Sequence, residues 1–287
     1  YKRQSVAMYK ISMVSLGCPK NQVDAEMMLA TLKTAGFEIG VPEAEADAII
    51  INTCGFIEDA KKEAIENILE AAEYKKTGKC KALIVTGCLA ERYKNDVTEE
   101  IPEVDVCVGI GADGDIAEIV TDALNGSKEN VFADKYELNL NSDRILGGYP
   151  FSTYLKIGDG CDNCCTYCAI PKIRGRMRSR TIEDCVKEAE KLAAGGVKEL
   201  TVVAQDTTAY GEDIYGRPML AELLRELCKI EGLHWIRTLY TYPDRITDEL
   251  LETVAQEEKL VKYFDIPLQH VNGDILKLSL IHISEPT

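Results

Sequence analysis

No apolar run in this sequence approaches the roughly 20 residues that a membrane-spanning helix requires, so no helical span is expected. The opening residues, Tyr1 to Ala7, are polar and lack the apolar stretch of a secretory signal, which makes the cytoplasm the expected compartment. Positive charge is in deficit: 33 Lys and Arg against 48 Asp and Glu leave a net charge of −15. A protein that grips nucleic acid along a whole face is usually basic, because phosphates have to be neutralised. The balance argues against such a protein and leaves only a local basic patch open. Histidine is scarce, with three in the chain. His234 and His270 read as packed or solvated side chains, and His282 falls in a suspect tail.

The 287 residues suffice for one large domain or two ordinary ones, and 46% are apolar, enough for a packed core. In the first half, short apolar strands alternate with helical spacing. "KISMVSLGC" precedes the helix pattern "NQVDAEMMLATLKTAG". "ADAIIINTC" precedes the long amphipathic "IEDAKKEAIENILEAAEYKK". "KALIVTGC", "VDVCVG" and "DIAEIVTDALNG" complete the series. Such alternation predicts parallel βαβ units and an open sheet. The expected domain is 1–127, followed by a linker over 128–150 that is rich in turn signals. A second series, 151–277, has strands at "STYLKIG", "VKELTVVAQ", "HWIRTLYTY" and "LVKYFDIPLQ", with helices near 181–194, 216–229 and 246–257. Four such units form the beginning of a (β/α) barrel. The last ten residues, 278–287, resemble the translation of a sequencing-library adapter and are expected to be non-native, while Met8 is a natural start.

Eleven cysteines are present, and their spacing separates them into groups. Cys161, Cys165 and Cys168 lie in CxxxCxxC spacing within "GDGCDNCCTYCAIP", just after a predicted strand. Three thiolates in one loop can hold three irons of a 4Fe–4S cluster and leave the fourth open to a small molecule. The competing reading uses Cys164 to make two abutting CxxC pairs for zinc. Zinc sites normally separate such pairs by a spacer, and the side chains of adjacent Cys164 and Cys165 diverge, so Cys164 reads as a bystander. Cys18, Cys54 and Cys88 are distant in sequence, yet each ends a predicted apolar strand. In an open parallel sheet, the carboxyl ends of the strands share one edge, where ligands bind. Three thiols are therefore expected to converge on one crevice, rather than act as scattered small hydrophobes. Cys80, Cys107, Cys185 and Cys228 do not share that placement and read as structural.

The loop with Tyr167 before its last cysteine, together with the second cysteine set, resembles the radical SAM methylthiotransferase family (SAM, S-adenosylmethionine). "SLGCPKNQVDAE", "VAQDTTAYG", "TLYTYP" and "DIPLQH" are similar to its RimO branch. The resemblance implies an α/β architecture: an amino-terminal open parallel-sheet domain followed by a radical SAM (β/α) barrel, here incomplete. It implies two 4Fe–4S clusters, held by Cys161, Cys165 and Cys168 and by Cys18, Cys54 and Cys88. The first would bind SAM and reduce it to methionine and a 5′-deoxyadenosyl radical, which removes hydrogen from an unactivated carbon. The second would carry the sulfur or methylthio group, and a second SAM would supply the methyl group. The implied target is the β-carbon of an aspartate in ribosomal protein S-twelve, and the implied partners are the small ribosomal subunit, an electron donor and a sulfur donor. About two barrel strands and a terminal RNA-contacting domain of the family are missing from the sequence. Two rival readings stay on the table: a tRNA methylthiotransferase of the MiaB kind, and a non-catalytic iron–sulfur or other metal-binding protein. The latter would want four protein ligands per cluster.

Weaker signals remain. Gln205, Asp206 and Gln269 lie at carboxyl ends of predicted barrel strands, where side chains face an active site, and with Tyr167 they are candidate contacts for SAM. Lys172, Arg174, Arg176, Arg178 and Arg180 alternate, so an extended segment would present them on one face to an anion. Gly109, Gly111 and Gly114 form GxGxxG, which fits either a nucleotide site or a tight turn.

Overall fold

The computed structural model describes residues 9–163, 165–268 and 270–274. They divide into two compact units, Tyr1–Ile145 and Leu146–Thr287. In the first unit the chain runs through β1 (Lys10–Ser15), α1 (Pro19–Thr34), β2 (Glu38–Ile39), β3 (Ala48–Thr53), α2 (Glu58–Thr77), β4 (Ala82–Gly87), α3 (Cys88–Tyr93), α4 (Asp96–Glu100), β5 (Val106–Cys107) and α5 (Ile116–Leu124). The five strands form one parallel sheet in the order β2-β1-β3-β4-β5.

β3 and β4 read as continuous apolar runs because both faces of the sheet are covered. Alternation divides them: Ile50 and Ile84 pack with Met28 and Leu32 of α1 and Ile116 and Val120 of α5, while Ile49, Ile51, Leu83 and Val85 pack with Ala64 and Ile68 of α2. The chain leaves β1 toward β2 on one side and returns to β3 on the other, so the strand order reverses between β1 and β3. In open α/β sheets this switch point, outside the carboxyl ends, is where ligands bind.

The stretch expected as a linker from residue 128 instead continues the first unit as far as Ile145. Val131 bridges Val108 beside β5, and Ile145 N–H donates to the Glu26 carbonyl at 3.0 Å. Turn-rich composition signalled irregular backbone there and could not reveal its edge pairing.

The second unit begins with β6 (Ser152–Lys156) and β7 (Gly158–Asp159), followed by α6 (Ile170–Arg174), β8 (Arg178–Ser179) and α7 (Ile182–Ala194). β9 (Glu199–Val203), α8 (Glu212–Tyr215), α9 (Leu220–Cys228), β10 (Trp235–Thr238) and α10 (Asp248–Gln256) follow. β6, β9 and β10 are parallel in the order β10-β9-β6, and β7 pairs antiparallel with β8. Helices α7 and α10 start where the sequence offers a threonine cap: Thr181 Oγ1 accepts from Asp184 N–H and Thr247 Oγ1 from Leu250 N–H, both at 3.2 Å. The expected fourth strand is only a single bridge, Leu260 to Ile236, although Thr241 N–H also reaches the Asp265 carbonyl. Its sequence is broken after Leu260 by charged residues and by Pro267, which removes a ladder donor. The suspect tail lies outside the described residues, and among those described no helix is long and apolar enough to cross a membrane.

Ile50 is wholly buried in the middle of the central strand. Ile50→Ala should cost about 2–5 kcal/mol of unfolding free energy, read by chemical denaturation. A loss under about 0.5 kcal/mol would contradict the two-faced core.

Candidate functional site

Cys18 is the residue before α1, Cys54 follows the last residue of β3, and Cys88 is the first residue of α3, directly after β4. Each hydrogen-bonded strand ends within a few residues of its thiol. The turns that carry them interlock. Gly17, at φ +93°, lies so close to Cys54 that a Cβ on it would stand 2.6 Å from the Cys54 Cβ and 3.2 Å from its Sγ. Gly87, at φ +89°, sits where a Cβ would meet Asn52 Oδ1 at 2.4 Å and the Thr53 carbonyl at 2.5 Å. Both positions need glycine for its conformation and its lack of bulk. Gly55 likewise packs onto the Leu89 backbone. The neighbours of each cysteine therefore touch the neighbours of the next.

Beneath the thiols lies a layer of buried polar groups. Thr53 Oγ1 donates to the Thr86 carbonyl at 2.5 Å, and Thr86 Oγ1 donates to Asp113 Oδ1 at 2.8 Å. Asn52 and Asn21 are each 1% exposed, and Asn52 Nδ2 donates to the Asn21 carbonyl at 2.8 Å. Sequence reasoning missed both asparagines. Their signal was proximity: Asn21 is three residues past Cys18 and Asn52 two before Cys54.

In the second unit, Cys161, Cys165 and Cys168 share the loop between β7 and α6. Cys168 N–H donates to the Cys165 carbonyl at 3.0 Å, and Asn163 N–H donates to Cys161 Sγ at 3.5 Å. Burial pushes the Cys161 thiol up to about 11; the amide of Asn163 works against that, while Asp206 and the thiols of Cys168 and Cys165 add to it. Such a thiol surrenders its proton when a metal ion takes its place. Tyr167 is 58% exposed on the outside of the loop. Cys164 and Gln269 lie outside the described residues.

The neck of this loop is closed by buried charge. Arg174 Nη1 donates to both oxygens of Asp159, at 3.2 and 3.0 Å, and Lys156 Nζ lies 3.4 Å from Asp159 Oδ2. None of the three is more than 1% exposed. Burial alone would raise the Asp159 carboxyl, but Arg174, Lys156 and Arg178 overturn it and hold the group below the usual carboxylate range. Cys161 N–H donates to the Gly175 carbonyl at 3.0 Å across the same neck.

A cavity of about 180 Å³ opens beside Cys161, with Asn163, Asp206 and Arg245 on its wall. Asp206, 3% exposed, accepts from Thr208 N–H and Oγ1, Ala209 N–H, Asn163 Nδ2 and Arg245 Nη1. Five donors occupy a carboxylate that offers about four lone-pair sites, so Asp206 organises its neighbours. Arg245 Nη1 also reaches Asn163 Oδ1 at 2.6 Å. Gln205 does not line this cavity; its Oε1 and Nε2 are both buried and have no hydrogen-bond partner among the described residues. Asn163 and Arg245 were missed in the sequence, although Arg245 lies in the loop after β10, where the strand-end rule would have pointed to it.

The basic stretch does not form one face. Lys172 and Arg174 are in α6, Arg176 pairs with Asp162 at the surface, and Arg180 is buried against Glu188. A helix and a turn interrupt the extended backbone that the alternation requires. Gly109 and Gly111 are packed against the protein's own chain: a Cβ on Gly111 would lie 2.3 Å from the Ala133 carbonyl. Close approach accounts for that glycine without a nucleotide. His234 and His270 are exposed.

The donor sets fit iron–sulfur clusters by their chemistry: three soft thiolates each. Among the described residues no group of three Cys, His, Asp or Glu side chains is drawn up as a closed metal site, so the fit rests on the donors and the backbone that carries them. The other cysteines share the burial effect seen at Cys161 and differ in position. Burial pushes Cys107 and Cys185 to about 12 and Cys228 to about 11, and raises Cys80. Each is packed in a core cluster; Cys107, the last residue of β5, is wholly buried there.

Residues 10–109 match the model of the uncharacterized protein family UPF0004, and residues 155–283 match that of the radical SAM superfamily. The ribosomal protein uS12 methylthiotransferase RimO of Lachnoclostridium phytofermentans is 52% identical over 271 residues, which cover 93% of this chain and 61% of that protein. The protein of the same name from Acetivibrio thermocellus is 52% identical over 277 residues, 94% of this chain and 61% of its own length. This chain thus spans about 61% of the length of the curated relatives it matches. Among solved structures, the radical SAM methyltransferase TsrM from Kitasatospora setae, with tryptophan substrate and a SAM analog bound, has a TM-score of 0.67 at 14% identity, covering 94% of this chain and 61% of that chain. At that identity the likeness concerns the fold.

Replacing Arg174 by methionine strips the buried Asp159 of its arginine partner. The unit should lose about 3 kcal/mol or more of stability, and Asp159→Asn in the same chain should recover part of it. Denaturation of the metal-free protein measures both, and a neutral Arg174→Met would show that the pair does not hold the neck.

Proposed function

The chain belongs to the radical SAM methylthiotransferase family, and from that premise we propose that it attaches a methylthio group to an unactivated carbon, the β-carbon of an aspartate in ribosomal protein uS12. Radical SAM membership implies a 4Fe–4S cluster and SAM. A second cluster, a sulfur donor and an electron donor belong to the proposal. Support for the target comes from relatives about 50% identical whose name states that activity on uS12.

The observation that carries the reading is the pair of three-cysteine sets, one on a single loop and one across three strand ends. A three-thiolate set leaves one iron of a 4Fe–4S cluster without a protein ligand, whereas an electron carrier has reason to protect all four. Cys161, Cys165 and Cys168 would hold the cluster that passes one electron to SAM. When bound, that pair supplies the radical chemistry that no side chain performs.

The chain's own part is to bind, orient and exclude water. The Asp159–Arg174 pair keeps the cysteine loop closed at its base. Asp206 fixes Asn163 and Arg245, whose amide and guanidinium border the cavity beside Cys161. Arg245 is suited to a carboxylate such as that of SAM. Gln205 holds a buried amide whose missing hydrogen bonds a polar ligand would complete, a gain of about 1–3 kcal/mol. Tyr167 and Gln269 stay candidate contacts, Tyr167 from the rim of the loop. Cys18, Cys54 and Cys88 would hold the cluster from which sulfur is delivered.

Anaerobic reconstitution should give two 4Fe–4S clusters, roughly eight irons per chain. Changing Cys161, Cys165 and Cys168 to alanine should remove one of them and abolish reductive SAM cleavage, while Cys164→Ala should change neither. Cys18→Ala should leave SAM cleavage intact and stop sulfur insertion into uS12. Tetrahedral zinc in place of iron, or methylthiolation of tRNA in place of uS12, would replace this reading.

A further inference from the structure

We infer that Asn21 is the positioning residue of the Cys18, Cys54 and Cys88 set, a single buried amide that ties the three strand-end turns to one another. The inference rests on reading that set as a cluster site. Asn21 lies in the first turn of α1 and is 1% exposed. Its Nδ2 donates to the Leu16 carbonyl at 3.0 Å, on the turn that leads into Cys18. The same nitrogen donates to the Thr53 carbonyl at 2.8 Å, the residue before Cys54. In the metal-free chain its Oδ1 accepts from Cys88 Sγ at 3.6 Å; once the thiol gives up its proton to a metal, the packing contact between the two side chains remains. One planar group therefore meets all three turns.

The residue type follows from the contacts. Two carbonyls face one nitrogen, so the group must offer two donors; a third turn faces its oxygen. Aspartate has the same shape but no donor, and its charge would oppose both carbonyls. Leucine has similar bulk and withdraws the donor from both carbonyls in a buried place. The second half of the device is Asn52. Its Nδ2 donates to the Asn21 backbone carbonyl at 2.8 Å and to Ser15 Oγ at 3.3 Å. Gly87, the residue before Cys88, approaches its Oδ1 closely. The two asparagines thus span β1, β3 and β4 at their carboxyl ends.

A side chain that merely fills space would affect global stability alone. One that sets the relative placement of three ligand turns would affect how firmly they hold iron, and a neighbour of the Cys88 sulfur would also affect the cluster's electronic signature. The test uses the full chain carrying Cys161→Ala, Cys165→Ala and Cys168→Ala, so that only the cluster of the first unit is counted. Asn21→Asp and Asn21→Leu are made in that background. Both should lose iron to a chelator about tenfold faster or more, the factor that corresponds to about one buried hydrogen bond. The EPR spectrum of the reduced cluster should shift in Asn21→Asp. In the chain with the Cys161 loop intact, the cluster on that loop serves as internal control and should keep its iron. Circular dichroism reports folding. If both Asn21 variants unfold, Asn52→Leu loosens the same network from the other side and should likewise release iron faster. A parent that binds no cluster overturns the reading of the site. A parent that binds one, with variants that release iron at the parent's rate and give its EPR spectrum, overturns the role of Asn21.

Discussion

In a parallel sheet, all strands deliver their carboxyl ends to one edge, and the first unit depends on that constraint throughout. A residue placed just past the last ladder bond of β1, β3 or β4 has nowhere to go but the same crevice. Convergence has a cost. Three turns crowded together leave no space for Cβ atoms where they touch, hence Gly17 and Gly87. They also bury backbone carbonyls, which need donors. Asn21, Asn52 and Thr53 occupy that layer and donate to carbonyls there. Thiols, glycines and buried amides are thus consequences of one topological fact.

The second unit solves a different problem, the closing of a loop. β7 and α6 must be held together at the base of the cysteine segment. An arginine whose Nη1 faces both oxygens of a buried carboxylate provides direction as well as attraction. A carboxylate taken from water as completely as Asp159 survives charged only with more than one cation nearby, and Arg174, Lys156 and Arg178 provide them. Arg180 likewise anchors to Glu188 and donates to the Lys156 carbonyl at 2.9 Å, tying β8 to β6. Two of the five cations in "PKIRGRMRSR", Arg174 and Arg180, are therefore drawn into the frame of the loop, while Lys172 and Arg176 stay exposed.

Much of this was legible in the sequence because it depended on period and placement. Apolar runs ending in cysteine identified β1, β3 and β4 and the edge their thiols share. CxxxCxxC located the second set without any fold. What stayed hidden depended on partners distant in the chain. Asn21 is an ordinary polar residue on a helix until Thr53 and Cys88 are seen beside it. Asp206 read as a ligand contact because strand ends face active sites; its five donors, from three separate segments, make it an organiser. The two-residue β2 carries no periodic signal, and the strand expected near 260–267 failed because apolar content alone does not secure a ladder. Alternating arginines misled for a related reason: alternation implies one face only where the backbone is extended.

The two cysteine sets differ in how they are coupled to folding. Cys161, Cys165 and Cys168 are neighbours in one short loop, and bringing them together costs little loop entropy even in a disordered chain. Cys18, Cys54 and Cys88 are separated by whole strand–helix units, and only the formed sheet gathers them. Metal bound at the first unit's set, as proposed, would therefore contribute its binding free energy to the folding of that unit, since the unfolded chain offers no comparable site. At the loop it is mainly local. The supporting contacts follow the same division. Ties between strands, through Asn21 and Asn52, serve a site made by tertiary structure, whereas a strap across one neck, Asp159 to Arg174, serves a site made by local sequence.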